Sequence, residues 1–284
     1  MVIQHNISAI DSYRNMSKNT NALSKNLEKL SSGYRINKAG DDAAGLAISE
    51  SMRNKINALD QAEANANDAI GLIQTAEGAL TETHAMLERM TTLATQAANG
   101  TYGTGGEGTI GDNKTARTNI ELELNELKSE INRIASSTEY NGINVLTNTK
   151  ERQFQIGASS SETLKLSGSK MTTTSLGNGT KTVDSIKATS VGSANEAIEV
   201  LKSAVNQVSE YRATLGAKQN RLEHTINNLK VNNENTTSAE SRIRDTDMAK
   251  EISAYTKNNI LNQAAQSMLA QANQSPQGVL SLLG

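Results

Sequence analysis

Residues 52–94 read MRNKINALDQAEANANDAIGLIQTAEGALTETHAMLERMTTLA, and the spacing within this stretch decides the fold. Met52, Ile56, Leu59, Ala66, Ile70, Ile73, Leu80, Leu87 and Ala94 recur at steps of four, three or seven. Those steps place one apolar stripe on a long helix. Most positions between are Ala, Asn, Gln, Thr, Asp, Glu and Lys, so the helix buries one seam and leaves the rest in water. The spacing predicts a helix from about 45 to 99, closed by Asn99-Gly100 as a C-cap. At 1.5 Å per residue it is roughly 80 Å long, which predicts an elongated molecule.

The same rhythm continues outward. Ile120, Leu124, Leu127, Ile131 and Ile134 step four-three-four-three and predict a helix over about 114–138. Leu201, Val205, Val208, Leu215, Leu222, Ile226 and Leu229 predict a third over about 193–233. Between the first two, the glycine-rich run Gly103–Gly111 reads as a loop, and Asn141-Gly142 marks a turn. The one proline of the chain is Pro276, so nothing before it interrupts a helix by ring and missing N–H. Residues 143–190 change character: Gln153-Phe-Gln-Ile and Thr163-Leu-Lys-Leu alternate as strands do, amid Ser, Thr and Gly, with a turn signal at Asn178-Gly179. The fold class is therefore mainly α, an elongated long-helix bundle or coiled coil with a small β-hairpin region in the middle of the chain.

The two ends carry stripes of their own. Ile3, Ile7, Ile10, Leu23, Leu27 and Leu30 form one. Met248, Ile252, Tyr255, Leu261, Met268, Leu269 and Ala272 form the other, and Val279, Leu280, Leu282 and Leu283 close the chain. Either these are terminal helices packed on the bundle, or they order only against one another and other copies. Magnitudes favour the second. A buried apolar side chain contributes about 1.5–3 kcal/mol, while ordering each backbone residue costs about 1–2 kcal/mol. One apolar residue among every three or four does not offset that cost, so folding is coupled to assembly. Between the N-terminal stripe and the long helix, Gly40-Asp-Asp-Ala-Ala-Gly45 reads as a tight linker with Asp41 or Asp42 as N-cap.

Composition excludes much. The 284 residues hold 28 Lys and Arg against 30 Asp and Glu, with a pI near 6.0, and no basic block marks a nucleic-acid partner. With seven aromatic residues (six Tyr, one Phe), base-stacking surfaces are excluded as well. There is no cysteine, hence no disulfide, iron–sulfur cluster or thiol catalyst. His5, His84 and His224 lie far apart, so no zinc site and no cofactor is expected, and the histidines read as satisfied helix residues. Asp41 with Asp42, and Arg244-Asp245, resemble acid/base groups, yet without a pocket signal they read as loop and capping residues. No run approaches a membrane span. The start, Met1-Val-Ile-Gln-His-Asn, has neither basic nor apolar region of a signal peptide, which by itself points to the cytoplasm.

Longer motifs point elsewhere. Leu30-Ser-Ser-Gly-Tyr-Arg-Ile-Asn-Lys-Ala-Gly-Asp-Asp-Ala-Ala-Gly-Leu-Ala-Ile-Ser49 and Asn67-Asp-Ala-Ile-Gly-Leu-Ile-Gln-Thr-Ala-Glu-Gly-Ala-Leu80 resemble the signature of bacterial flagellin. So do Leu215-Gly-Ala-Lys-Gln-Asn-Arg-Leu222, Ala239-Glu-Ser-Arg-Ile-Arg-Asp-Thr-Asp-Met248 and Leu269-Ala-Gln-Ala-Asn-Gln-Ser-Pro-Gln-Gly-Val-Leu-Ser-Leu-Leu283. The resemblance covers about 1–148 and 190–284.

It implies a structural subunit and no enzyme: a protein that polymerises with itself into the flagellar filament for swimming. The implied division is 1–44 and 240–284 as the inner coiled-coil layer, D0, and 45–148 with 193–239 as the D1 helices. Residues 149–192 would be a short variable hairpin region, with no large outer domain. The filament-packing residues are then Ile3, Ile7, Ile10, Leu23, Leu27, Leu30, Met268, Leu269, Val279, Leu280, Leu282 and Leu283. The resemblance replaces the cytoplasmic expectation with secretion through the flagellar type III apparatus to an extracellular filament. An export chaperone, a filament cap and hook-junction proteins are the implied partners, with no nucleic acid and no membrane.

It also implies a vertebrate Toll-like receptor for flagellin as partner. Arg89 and Leu93, with Glu88 beside them, match its contact motif in Leu87-Glu-Arg-Met-Thr-Thr-Leu93, and Glu123 matches the acidic contact on the next helix. Thr91 and Thr92 stand where the family usually carries an Arg-Glu pair. Some flagellins hold a metalloprotease insertion, whose His-Glu-x-x-His helix is absent here: Ala85 follows His84, and Thr225 follows His224. A hook–filament junction protein is the alternative reading, since it shares the terminal coiled-coil logic.

Overall fold

The computed structural model describes residues 6–99 and 114–283, with side chains over 6–99 and 116–274. Ile3, the Gly100 cap and the Gly103–Gly111 loop lie outside the described residues, as do the side chains of Val279, Leu280, Leu282 and Leu283. Five helices dominate: α1 (Ile7–Ser32), α2 (Ala43–Ala98), α3 (Lys114–Ser137), α4 (Val191–Arg244) and α5 (Met248–Leu283). Strands β1 (Glu139–Tyr140) and β2 (Ile143–Asn144) form one antiparallel pair, β3 (Glu151–Gln155) and β4 (Thr163–Ser167) a second. The mainly-α expectation with a small hairpin region is met. The third long helix is a correction: α4 runs to Arg244 instead of ending near 233, because the Asn- and Thr-rich segment beyond Lys230 contains no helix breaker.

The chain divides into two compact units, 58–232 and 1–57 with 233–284. The breaks fall inside α2 and α4.

In the unit 58–232, α2 contributes Ala66, Ala69, Ile73, Ala76, Leu80, Leu87, Met90, Ala94 and Ala97, all buried at three-four spacing. Ile73, Leu80 and Leu87, with Ala66 and Ala94, belong to the stripe read from sequence. Met90, Ala69, Ala76 and Ala97 do not, yet alanine makes up more than half of the seam, because a methyl group lets neighbouring backbones approach. Ile120, Leu124 and Ile131 of α3 and Leu201, Val208, Leu215 and Leu222 of α4 complete this core, with Leu164 and Leu166 of β4. Ile70, Leu127 and Val205 are only partly buried against it.

Polar groups hold the unit's edges. Buried Arg117 donates from Nε to the Ala97 carbonyl (3.2 Å) and from its terminal nitrogen to that of Asn99 (3.4 Å), satisfying the end of α2 with a cation. Lys128, also buried, donates to the carbonyls of Ile186 (2.7 Å) and Asp184 (3.3 Å) and so fastens the segment before α4 onto α3. Burial pushes its pKa below the usual lysine range. Asn141 (φ 50°) and Gly142 (φ 71°) form the two-residue turn of β1–β2, whose paired positive φ angles are what Asn-Gly supplies. In the β3–β4 pair Phe154 lies opposite Leu164, as the alternation predicted.

In the other unit α1 and α5 pack antiparallel. Asn6 Nδ2 donates to the Ala272 carbonyl at 2.8 Å, and Asn26 lies against Glu251, Tyr255 and Asn258. Gly33 ends α1 in the left-handed conformation (φ 75°), its N–H on the Lys29 carbonyl (2.9 Å). Among the described residues no helix is long and apolar enough to cross a membrane.

Candidate assembly and receptor surfaces

The α1–α5 pair reverses the ordinary sense of a helix seam. Among the less exposed residues of α1, Ala9, Ser12, Met16, Asn19, Leu23, Asn26 and Leu30 recur at three-four spacing. On α5, Glu251, Tyr255, Asn258, Asn262, Ala265, Leu269 and Ala272 do the same. Small and polar residues alternate there with Met and Leu. Other large apolar side chains point out: Ile7 is 68% exposed, Ile10 60%, Ile260 61% and Met268 63%, and Tyr13, Leu27, Ile252 and Leu261 are exposed as well. Of the predicted packing residues with described side chains, Ile7, Ile10, Leu27 and Met268 are therefore on the surface. Leu23, Leu30 and Leu269 are half-buried.

A clasp closes the same unit. Buried Ile36 anchors the chain between α1 and α2. Tyr34 pairs with Asp245, the Arg35 N–H donates to the Arg244 carbonyl (2.6 Å), and the Thr246 N–H donates to that of Gly33 (3.0 Å). The Arg244 guanidinium lies 4.7 Å from the centre of the Tyr34 ring and donates to Glu50 Oε1 (2.6 Å). Cation–π and ion-pair contacts on one side chain fix how the α4–α5 junction meets the start of α2. The reading of Arg244 as a loop or capping residue is thus corrected: it ends α4 and carries the clasp. Its sequence signal was present, because Tyr34 and Arg244 each lie in a motif that carries the family resemblance.

The two linker aspartates act as caps. Asp42 Oδ1 accepts from the Gly45 N–H (2.9 Å) and starts α2. A methyl group on Gly45 would stand 2.5 Å from Asp42 Oδ2 and 2.8 Å from Ile36 Cδ1, so the capping carboxylate and the Ile36 side chain lie close over this glycine. Asp41 Oδ2 accepts from the N–H groups of Lys38 (3.1 Å) and Asn37 (3.3 Å). Those bonds hold its carboxyl below the usual range, as favoured by any donor to the charged form.

The predicted receptor residues separate. Arg89 and Glu123 meet across α2 and α3, with Arg89 Nε 2.8 Å from Glu123 Oε1, and both side chains are largely exposed. Glu88 is exposed and pairs with His84 (3.2 Å). Leu93 does not join them: it is 2% exposed and part of the core, because it falls on the three-four seam with Met90 and Ala97. Among the described residues no group of His, Cys, Asp and Glu is arranged to hold a metal ion.

Comparison with known proteins places this architecture. The model of the bacterial flagellin N-terminal helical region matches residues 3–151, and that of the C-terminal helical region matches 198–283. The chain is 48% identical to a flagellin of Bacillus subtilis and 49% identical to one of Halalkalibacterium halodurans, each over the full length of both chains. A solved structure of a putative flagellar hook-associated protein from Vibrio parahaemolyticus superposes with a TM-score of 0.60. It is 13% identical, over 72% of this chain and the whole of that one, a likeness of fold. Matched at both helical regions and across its whole length, with helices and hairpins in the order described, the chain belongs to the bacterial flagellin family.

Proposed function

We propose that the chain is the subunit of an extracellular flagellar filament and that the outward faces of α1 and α5 are buried by neighbouring copies. One observation carries this reading: the helix pair keeps Ile7, Ile10, Leu27, Ile260 and Met268 in water while its own seam mixes Asn19, Asn26, Asn258 and Asn262 with Ala, Met and Leu. Apolar area left outside in the single chain becomes free energy of association. We assign 1–44 and 240–284 to an inner layer and 45–148 with 193–239 to the surrounding helices, with 149–192 as the short variable region. Purified chain in high salt should form long, uniform filaments by electron microscopy, whereas a junction protein should not. Deleting Val279–Gly284 should abolish polymerisation while helicity by circular dichroism persists; normal filaments from the truncated chain would sink this reading.

The same proposal includes type III export with a chaperone on the C-terminal segment, and growth beneath a cap on hook-junction proteins. The absence of cysteine suits passage through a narrow channel. Loss of secretion on deleting the type III apparatus is the test.

A second reading is favoured by the exposed Arg89–Glu123 pair: with Glu88 it forms the polar contact surface for the vertebrate Toll-like receptor. Leu93 supports that surface from beneath. Arg89→Ala should lower receptor signalling in reporter cells with monomer helicity unchanged. Equal signalling by Arg89→Ala and the parent chain removes the assignment.

A further inference from the structure

Among the described side chains, Asn26 is the one buried residue of α1 or α5. Oriented to satisfy its surroundings, its amide nitrogen donates to Glu251 Oε1 (3.1 Å) and the Ala22 carbonyl (2.9 Å). Its oxygen accepts from the Tyr255 N–H and from Asn258 Nδ2, both at 3.1 Å. The antiparallel register puts Asn19 level with Asn262, whose buried Oδ1 has no partner within the chain.

We infer that Asn26 is the register determinant of the α1–α5 pair. A seam of Ala, Met and Leu tolerates a slip of one heptad, since each apolar side chain meets another. An asparagine enclosed by a carboxylate, an amide and two backbone groups does not, because a slip leaves its donors and acceptors unmatched. Register matters for assembly: it sets which exposed residues of α1, such as Ile7 and Ile10, stand level with which exposed residues of α5, such as Met268. Asn26 thus positions the packing residues without itself joining the face that neighbours cover. This rests on the filament reading only through the sample used to test it.

The chain has no cysteine, so engineered pairs report without background. Met16→Cys with Ala265→Cys reads the observed register, and Ala9→Cys with Ala265→Cys reads a slip of one heptad. In oxidised filaments of the full chain, intrachain cross-linking should strongly favour the first pair. Adding Asn26→Leu should lower that preference at least about fivefold, with the slipped product appearing, and Asn258→Leu should act in the same direction. If Asn26→Leu does not polymerise, the same ratio is read on the monomer. An unchanged ratio overturns the inference. So does loss of both products, which would make Asn26 necessary for pairing itself. If the cysteine chains with Asn26 intact do not polymerise while the cysteine-free chain does, the ratio is read on the monomer for every variant, with the same two outcomes. Failure of the cysteine-free chain counts against the filament reading alone.

Discussion

The unit 58–232 and the α1–α5 pair use the same three-four spacing in opposite senses. In the first, Ile73, Leu80, Leu87 and Leu124 lie inside and the polar residues face water. In the second, Asn26 lies inside and Ile7, Ile10 and Met268 face water. A seam of Leu and Ala stabilises its own chain. A seam that mixes Asn with Ala, Met and Leu buries less apolar area, and large apolar side chains remain outside it. The difference separates a part built to fold from a part built to associate.

Substitution at the two kinds of seam should break the comparison most sharply. Leu87→Ala should destabilise the unit 58–232 by about 2–5 kcal/mol, read by thermal unfolding, because it leaves a cavity in a closed core. The pair Ile10→Ser and Leu27→Ser should leave that transition unmoved and abolish filaments. A drop in melting temperature comparable to that of Leu87→Ala would mean that the outer face is part of the monomer core.

Leu93 and Arg89 refine the contrast within one helix. Leu93→Ala should also cost about 2–5 kcal/mol, so its effect on receptor signalling tracks lost folding. Arg89→Ala removes an exposed ion pair worth about 0–1 kcal/mol and should act on signalling alone. Unfolding curves measured beside reporter-cell responses distinguish the two. Arg244→Ala should loosen the clasp by about 1–2 kcal/mol through loss of its stacking and its bond to Glu50. The expected readout is faster hydrogen exchange at the Arg35 and Thr246 amides, with exchange in the α2–α4 core unchanged.

The smallest effect is that of pH on the linker. Asp41 has a depressed folded-state pKa, so its contribution is present above the ordinary carboxylate range and is lost as pH falls through that range toward its own lower value. Asp41→Asn should flatten this acid dependence of Lys38 amide exchange. An equally steep dependence in the variant would assign it to another carboxylate.

The long helices and the β3–β4 hairpin were legible because period and turn chemistry are local. Asn141-Gly142 announces its positive φ angles, and the stripes of α2, α3 and α4 announce their seams. The alanines of α2 were harder to see, since Ala69 and Ala76 look the same in a core as on a surface. Leu93 was misjudged as a contact residue for a related reason: a motif match identifies which residues occur, while a turn of the helix decides whether one is inside. The terminal stripes were visible as apolar residues, but not which side of them faces the partner helix.

From residue order alone follow the helix periods, the Asn141-Gly142 turn, the cap at Asp42 and the family motifs, because each depends on neighbours within a few positions. Tertiary structure alone decides that Tyr34 meets Arg244 and Glu50, that Arg89 reaches Glu123, and that Asn26 is enclosed while Ile7 is not. Those outcomes depend on side chains brought together from distant positions, where packing selects which of two equally periodic faces is turned inward.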